Sequence, residues 1–242
     1  MSPWFKQVYE LNPSKLVLFD IDGTLLTTVK KAWMYPFADA IREVLQVPVD
    51  PTGFHAGGKT DPQIVFEMTE SFHLPEETVW GALPAIQEAY LGRLREVVKT
   101  PEDAVLKPGI RPLLERLSTD STVAMGLLTG NFEKGARVKL AVHDLNRYFP
   151  FGVYGDGARR RLELAPRVEP LARELFGRAF PGRDTILIGD TFFDIDCGRA
   201  IDARVLAVAT GPFTEDQLGS ASPDHLFADL SDTEKVVEAI LG

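Results

Sequence analysis

The chain has 242 residues, of which 45% are hydrophobic, enough to build a real core and too many for a disordered chain. Its formal net charge of -9 excludes nucleic acid and anionic membrane as default partners, because both select a positive face. The lone cysteine, Cys197, excludes an internal disulfide and a multi-cysteine metal site and fits a reducing compartment.

Met1 to Asn12 has neither a charged start followed by an apolar core nor a small-residue cleavage site. No apolar run approaches the ~18 residues that span a bilayer, so a soluble, cytoplasmic protein is expected. Leu16-Val17-Leu18-Phe19 is an apolar run without polar alternation, the pattern of a strand covered on both faces in a parallel sheet. After Leu26 the spacing turns helical through Trp33, Phe37, Ile41, Val44 and Leu45, with Pro36 in the first turn. A Pro- and Gly-rich loop, Gln46 to Thr60, ends at Asp61 as N-cap and Pro62 as first helical residue of a helix carrying Ile64, Val65, Met68 and Phe72. A third helix is expected from Glu76 to about Val98, kinked at Pro84. Residues 28–100 thus read as helices alone.

From Lys107 onward strands and helices alternate. Helices are expected over 110–117 and 133–144, around Leu164, Val168, Leu171 and Leu175, as a short helix between residues 188 and 205, and at the end of the chain behind a capping box from Ser231 to Glu234. Strands are expected over 122–128, 151–154, 185–188 and 205–208. The alternation predicts an α/β fold: a Rossmann-like parallel sheet with helices on both faces and an all-helical insertion after the first strand.

Chemistry is concentrated where strands end, as ligand sites of such sheets are. Asp20 and Asp22 close the first strand, and Gly23 permits a sharp turn. Two carboxylates so close repel unless a cation lies between them or one holds a proton; the alternative is a solvated turn. Leu128-Thr129-Gly130-Asn131 offers a hydroxyl and successive amides that could cradle a phosphate, or a plain helix N-cap by Asn131. Gly189-Asp190-Thr191-Phe192-Phe193-Asp194 places two acids four apart, able to converge on one hard cation, with Asp194 also an N-cap candidate and Asp196 left to solvent.

Taken in order, DxDGT at Asp20 to Thr24, a strand ending in Thr129 and GDTxxD at Gly189 to Asp194 resemble the motifs of the haloacid dehalogenase superfamily of phosphohydrolases. The inserted helices are similar to the helical cap of its phosphoglycolate phosphatase and β-phosphoglucomutase branches. The resemblance implies a core domain over 1–27 and 101–242 and a cap domain over 28–100. It further implies Asp20 as nucleophile forming an aspartyl-phosphate, Asp22 as general acid and base, and Thr129, Gly130 and Asn131 as phosphate binders. Mg²⁺ would be held by Asp20, the backbone carbonyl of Asp22, Asp190 and Asp194.

The superfamily also places a basic residue, usually lysine, between the second and last motifs; here Arg159, Arg160 and Arg161 stand instead. Arg161 is the choice, because an arginine three residues ahead of the first apolar helix position is similar to the Arg-x-Glu-Leu pattern of some branches of the superfamily, and a guanidinium fork suits phosphate. Lys139 is the fallback, although its mid-helix position argues for an exposed face. In the cap, Lys59 is the candidate to reach an anionic substrate group, with His55 an ordinary loop residue. Trp33, Tyr35 and Phe54 are core or entrance residues, Phe192 and Phe193 could wall the site, and Cys197 is expected to be buried and inert.

The expected activity is Mg²⁺-dependent hydrolysis of a small soluble phosphate ester by a monomer or small homo-oligomer. A dehalogenase is disfavoured by the presence of Asp22, and a phosphonate-cleaving enzyme would need a cap lysine such as Lys59. A phosphomutase sharing the core and a non-catalytic phospholigand-binding module are the alternatives, the latter separated by turnover rather than binding.

Overall fold

The run Leu16 to Phe19 is the buried heart of β1 (Lys15–Phe19) in a computed structural model that describes residues 13–29 and 33–242. Expectations about Met1 to Asn12 lie outside the described residues. After β1 come β2 (Leu26–Thr28), α1 (Met34–Leu45), α2 (Asp61–Thr69), α3 (Glu76–Val97), β3 (Ala104–Leu106), α4 (Ile110–Ser118), β4 (Val123–Leu128) and α5 (Glu133–Ala141). The chain continues through β5 (Phe151–Val153), α6 (Val168–Phe176), β6 (Thr185–Gly189), α7 (Phe192–Ala200), β7 (Arg204–Val208), α8 (Glu215–Ser220), β8 (His225–Phe227) and α9 (Thr233–Leu241).

Six strands form one parallel sheet in the order β5-β4-β1-β6-β7-β8, so β1 is central, with Phe19 opposite Leu127 on one side and Ile188 on the other. Strand alternation sends β1 side chains to opposite layers. Val17 and Phe19 pack with residues of α1, α4, α5 and α9, while Leu16 and Leu18 pack with Val168 and Ala172 of α6 and with Cys197. Covering both faces explains the unbroken apolar run.

The helices between β2 and β3 join the first of these layers. Phe37 of α1 meets Tyr90 of α3 edge-on, centroids 4.8 Å apart, and stacks near Phe132 at 6.3 Å. The two chain crossings into this helical segment are themselves hydrogen-bonded as a short antiparallel ribbon, β2 with β3. That ribbon, β8 and α8 are additions to the expected elements.

Several ends differ from expectation by a residue or more. Thr60, not Asp61, caps α2, its hydroxyl accepting from the Gln63 amide. Asp232, not Ser231, caps α9 by accepting from the Lys235 amide. Thr191, not Asp194, caps α7, and Asp194 closes the box from the third helical position. In each case a neighbour of similar capping chemistry took the role. Helix α2 stops at Thr69, Phe72 falls in a following 3₁₀ turn, and α3 runs unbroken through Pro84.

Candidate active site

A parallel sheet brings its strands' carboxyl ends to one edge, and that edge collects the acids. Asp20 follows β1, Asp190 follows β6, and Asp194 sits in the first turn of α7, fixed by the Thr191 hydroxyl and amide at 2.7 and 3.0 Å. All three are buried, and one carboxylate oxygen from each lies within 4.8 Å of the other two. Gly23 makes room for them: at φ 98° a Cβ there would stand 2.2 Å from Asp190 Oδ2.

Among the described residues one cation answers these charges from inside the fold. The Arg161 guanidinium, 3% exposed, donates to Asp20 Oδ1 at 2.8 Å, to the Leu128 carbonyl at 3.1 Å and to Asp194 Oδ1. Burial works against its charge, but Asp194 and Asp20 outweigh that and hold it protonated. Burial likewise pushes Asp20 up to about 6 while Arg161 pulls it down, and burial together with the charge of Asp20 drives Asp190 well above the usual carboxylate range.

Among the described residues, three clustered carboxylates against one guanidinium leave negative charge unanswered. Among the described residues Asp190 Oδ2 is buried without a hydrogen-bond partner, although Oδ1 accepts from the Thr24 hydroxyl at 2.9 Å. An all-oxygen donor set with an orphaned carboxylate oxygen fits a small hard cation such as Mg²⁺.

Beside this cluster lies a second one. Asp22 accepts from the Lys139 ammonium at 2.9 and 2.7 Å and from Asn131 Nδ2 at 2.8 Å. Asn131 Nδ2 also reaches Thr129 Oγ1 at 2.8 Å, and its Oδ1 accepts from Lys139 at 2.6 Å. Asn131 therefore does not cap α5; Phe132 occupies that position without a side-chain bond. Nor does Lys139 face solvent: it is 2% exposed, with the Trp33 ring 5.5 Å away. Helix α5 is covered by α3 as well as by the sheet, so this face is interior.

The loop before α2 closes over these groups. The Asp61 amide donates to the Gly130 carbonyl at 2.8 Å, Asp61 Oδ2 accepts from the Phe132 amide at 2.7 Å, and the Thr60 hydroxyl donates to the Ala158 carbonyl at 2.8 Å. The approach is close enough that a Cβ on Gly130 would lie 2.1 Å from the Lys59 carbonyl oxygen. A cavity of about 70 Å³ remains, walled by Asp20, Asp22, Lys59, Asp61, Lys139 and Arg161 among others. It shares Asp22, Trp33, Ala56 and Gly57 with a wider groove of about 710 Å³ lined also by Phe54, His55 and Phe213.

The expected residues divide accordingly. Asp20, Asp190, Asp194 and Arg161 meet, as do Asp22, Thr129 and Asn131, and Gly130 lies on the same cavity. Lys59 lines the cavity but is paired with Glu67 and lies over Phe54, 4.8 Å from the ring centroid. Arg160 is exposed, and Arg159 pairs with Glu76 at 2.9 Å. Tyr35, His55, Asp196 and Phe193 are exposed, and Phe192 packs on Phe213. Cys197 is buried, its thiol pushed up to about 12 by burial. The sequence reading missed Asp61, taken only as a cap; its place beside a Gly-rich loop and not on an apolar helix face was the available signal.

Comparison with known proteins gives concordant results. A family model described as haloacid dehalogenase-like hydrolase matches residues 14–202. Pyrophosphatase PpaX of Bacillus pumilus is 24% identical over 232 residues, spanning 92% of this chain and 96% of its own length. A phosphoglycolate phosphatase of Pseudomonas fluorescens is 24% identical over 239 residues, spanning 93% of this chain and 80% of its own. Among solved structures, β-phosphoglucomutase from Clostridium difficile superposes with a TM-score of 0.67 at 16% identity, covering 94% of this chain and 97% of that one. At that identity the likeness speaks for the fold.

Proposed function

The chain belongs to the haloacid dehalogenase-like hydrolases, and we propose that it is a Mg²⁺-dependent phosphatase acting on a small phosphate ester through an aspartyl-phosphate. The observation that carries this reading is the convergence of Asp20, Asp190 and Asp194 with Arg161 at the end of the central strand.

Asp20, Asp190 and Asp194, with the backbone carbonyl of Asp22, would hold Mg²⁺, which supplies neutralising charge to the phosphate and the nucleophile. An Asp20 carboxylate oxygen attacks phosphorus, and the ester oxygen leaves with a proton from Asp22. Arg161 orients Asp20 and opposes the charge that gathers on the phosphoryl oxygens. Thr129 and the amides of Gly130 and Asn131 bind one of those oxygens. Asp22, now ionised, takes a proton from water as that water attacks phosphorus, releasing phosphate and restoring Asp20.

Residues 28–100 act in this reading as a cap, with 1–27 and 101–242 as the catalytic core. The loop at Lys59 to Asp61 would exclude water when closed and admit substrate when open. The cavity of about 70 Å³ beside Asp20 supports a compact ester over a polymer. Among the described residues no helix is long and apolar enough to cross a membrane. A phosphomutase would draw on the same groups and differ in passing the phosphoryl group to a second hydroxyl instead of water.

Phosphate release from p-nitrophenyl phosphate tests the proposal, with Mg²⁺ and with a chelator, for wild type and Asp20→Asn. Metal-dependent turnover that falls by at least about 10³-fold in the variant is expected, since the covalent route is then closed. Wild-type protein that binds Mg²⁺ yet turns over neither this ester nor a broad panel would refute it.

A further inference from the structure

Among the described residues the site holds two buried cations that divide its acids between them. Arg161 touches Asp20 and Asp194, and its hydrogen bonds do not extend to Asp22. Lys139 touches Asp22 through both carboxylate oxygens, and its third partner is Asn131. A lysine at 2% exposure in the last turn of α5 is an expensive choice, because its long chain is immobilised and its ammonium desolvated. An apolar side chain would pack there beside Leu140 and Ala136 at lower cost. The position therefore calls for a task that packing does not supply.

The hydrogen bonds indicate that task. Asp22, Lys139 and Asn131 form a closed triangle, each bonded to the other two at 2.6 to 2.9 Å. With its Oδ1 claimed by Lys139, Asn131 must turn its Nδ2 toward Asp22 and Thr129. Three donated bonds hold the Asp22 carboxylate at the cavity wall, and the same ammonium sets the amide that reaches Thr129.

We infer that Lys139 is a positioning residue: it orients Asp22 toward the leaving oxygen and, through Asn131, aligns the Thr129 hydroxyl. This rests on Asp22 being the proton donor of the proposed reaction. Proton donation helps a poor leaving group far more than a good one, so mispositioning the donor steepens the dependence of rate on leaving group. A lysine that merely filled space would, when replaced, lower all rates alike.

The experiment is kcat/KM over a series of substituted aryl phosphates, from p-nitrophenyl to unsubstituted phenyl phosphate, for wild type, Lys139→Met, Lys139→Gln and Asp22→Asn. Thermal melts identify variants that fold. Lys139→Met is expected to lose at least about tenfold more on phenyl than on p-nitrophenyl phosphate, a steepening in the same sense as that of Asp22→Asn. Lys139→Gln, which retains a donor without the charge, is expected to fall between Met and wild type, and it carries the test if Met does not fold. Steepening in Asp22→Asn with a uniform loss, or none, in the folded Lys139 variants overturns the inference alone. Absence of steepening in Asp22→Asn overturns the role of Asp22 and the inference with it.

Discussion

Asp61 gives the fold a pH dependence that can be worked from its surroundings. Its carboxylate is 6% exposed, accepts one backbone amide, and has as its nearest opposing charge a lysine already bonded to Asp22 and Asn131. Burial pushes it from the ordinary value of 3.8 to about 7, with Lys139 pulling the other way. A carboxyl so raised favours the folded state while protonated. Below about pH 4 both states hold the proton and there is no penalty; between about pH 4 and 7 the unfolded chain alone loses it, and stability falls as pH rises. The full penalty above about pH 7 is on the order of 4 kcal/mol, of which roughly 2–3 kcal/mol accrues between about pH 5 and 8. Asp61→Asn keeps an acceptor for the Phe132 amide and removes the charge. Urea unfolding of both proteins in chelator, near pH 5 and near pH 8, isolates the effect, because other titrating groups cancel in the difference. The variant should gain roughly 2–3 kcal/mol on wild type between the two conditions. A difference that is flat with pH, or that runs the other way, would mean that Asp61 is not confined as described.

Two further outcomes follow from close contacts. Arg161→Met leaves Asp20 and Asp194 buried beside Asp190 with no guanidinium; metal-free protein should lose about 3–5 kcal/mol in denaturant unfolding, and a loss under ~1 kcal/mol would contradict the buried pairing. Gly130→Ala pushes a methyl against the Lys59 carbonyl, so kcat/KM should drop at least about tenfold for a loss of about 1–3 kcal/mol in stability; unchanged kinetics would show that this approach is not needed for turnover.

The sheet and the acidic cluster were legible because each rests on a local pattern. Leu16 to Phe19 and Ile186 to Ile188 are unbroken apolar runs that stop at Asp20 and before Asp190, and a parallel sheet carries such ends to one edge. Arg161 was reached through the resemblance, since a place before the helical segment does not separate it from Arg159 and Arg160. Lys139 was not legible, since it is met inside the fold by Asp22 and Trp33, both more than a hundred residues earlier, which no window around Val138 and Leu140 records. Thr60 and Asp61 are both good caps, and the choice between them was made by the Ala158 carbonyl that takes the Thr60 hydroxyl. The β2–β3 ribbon pairs three-residue strands from distant parts of the chain, a contact without a local signature.

That ribbon has an evolutionary consequence. Because β2 and β3 lie side by side, the two ends of the intervening 75 residues are neighbours, and the sheet experiences the insertion as a single closed loop. Loop entropy grows only with the logarithm of length, so carrying all 75 residues in place of a turn of about four disfavours closure by roughly 2–3 kcal/mol. A lineage could therefore lengthen, shorten or exchange this segment as one cassette, retuning which molecules reach Asp20 while the strands that hold it keep their register.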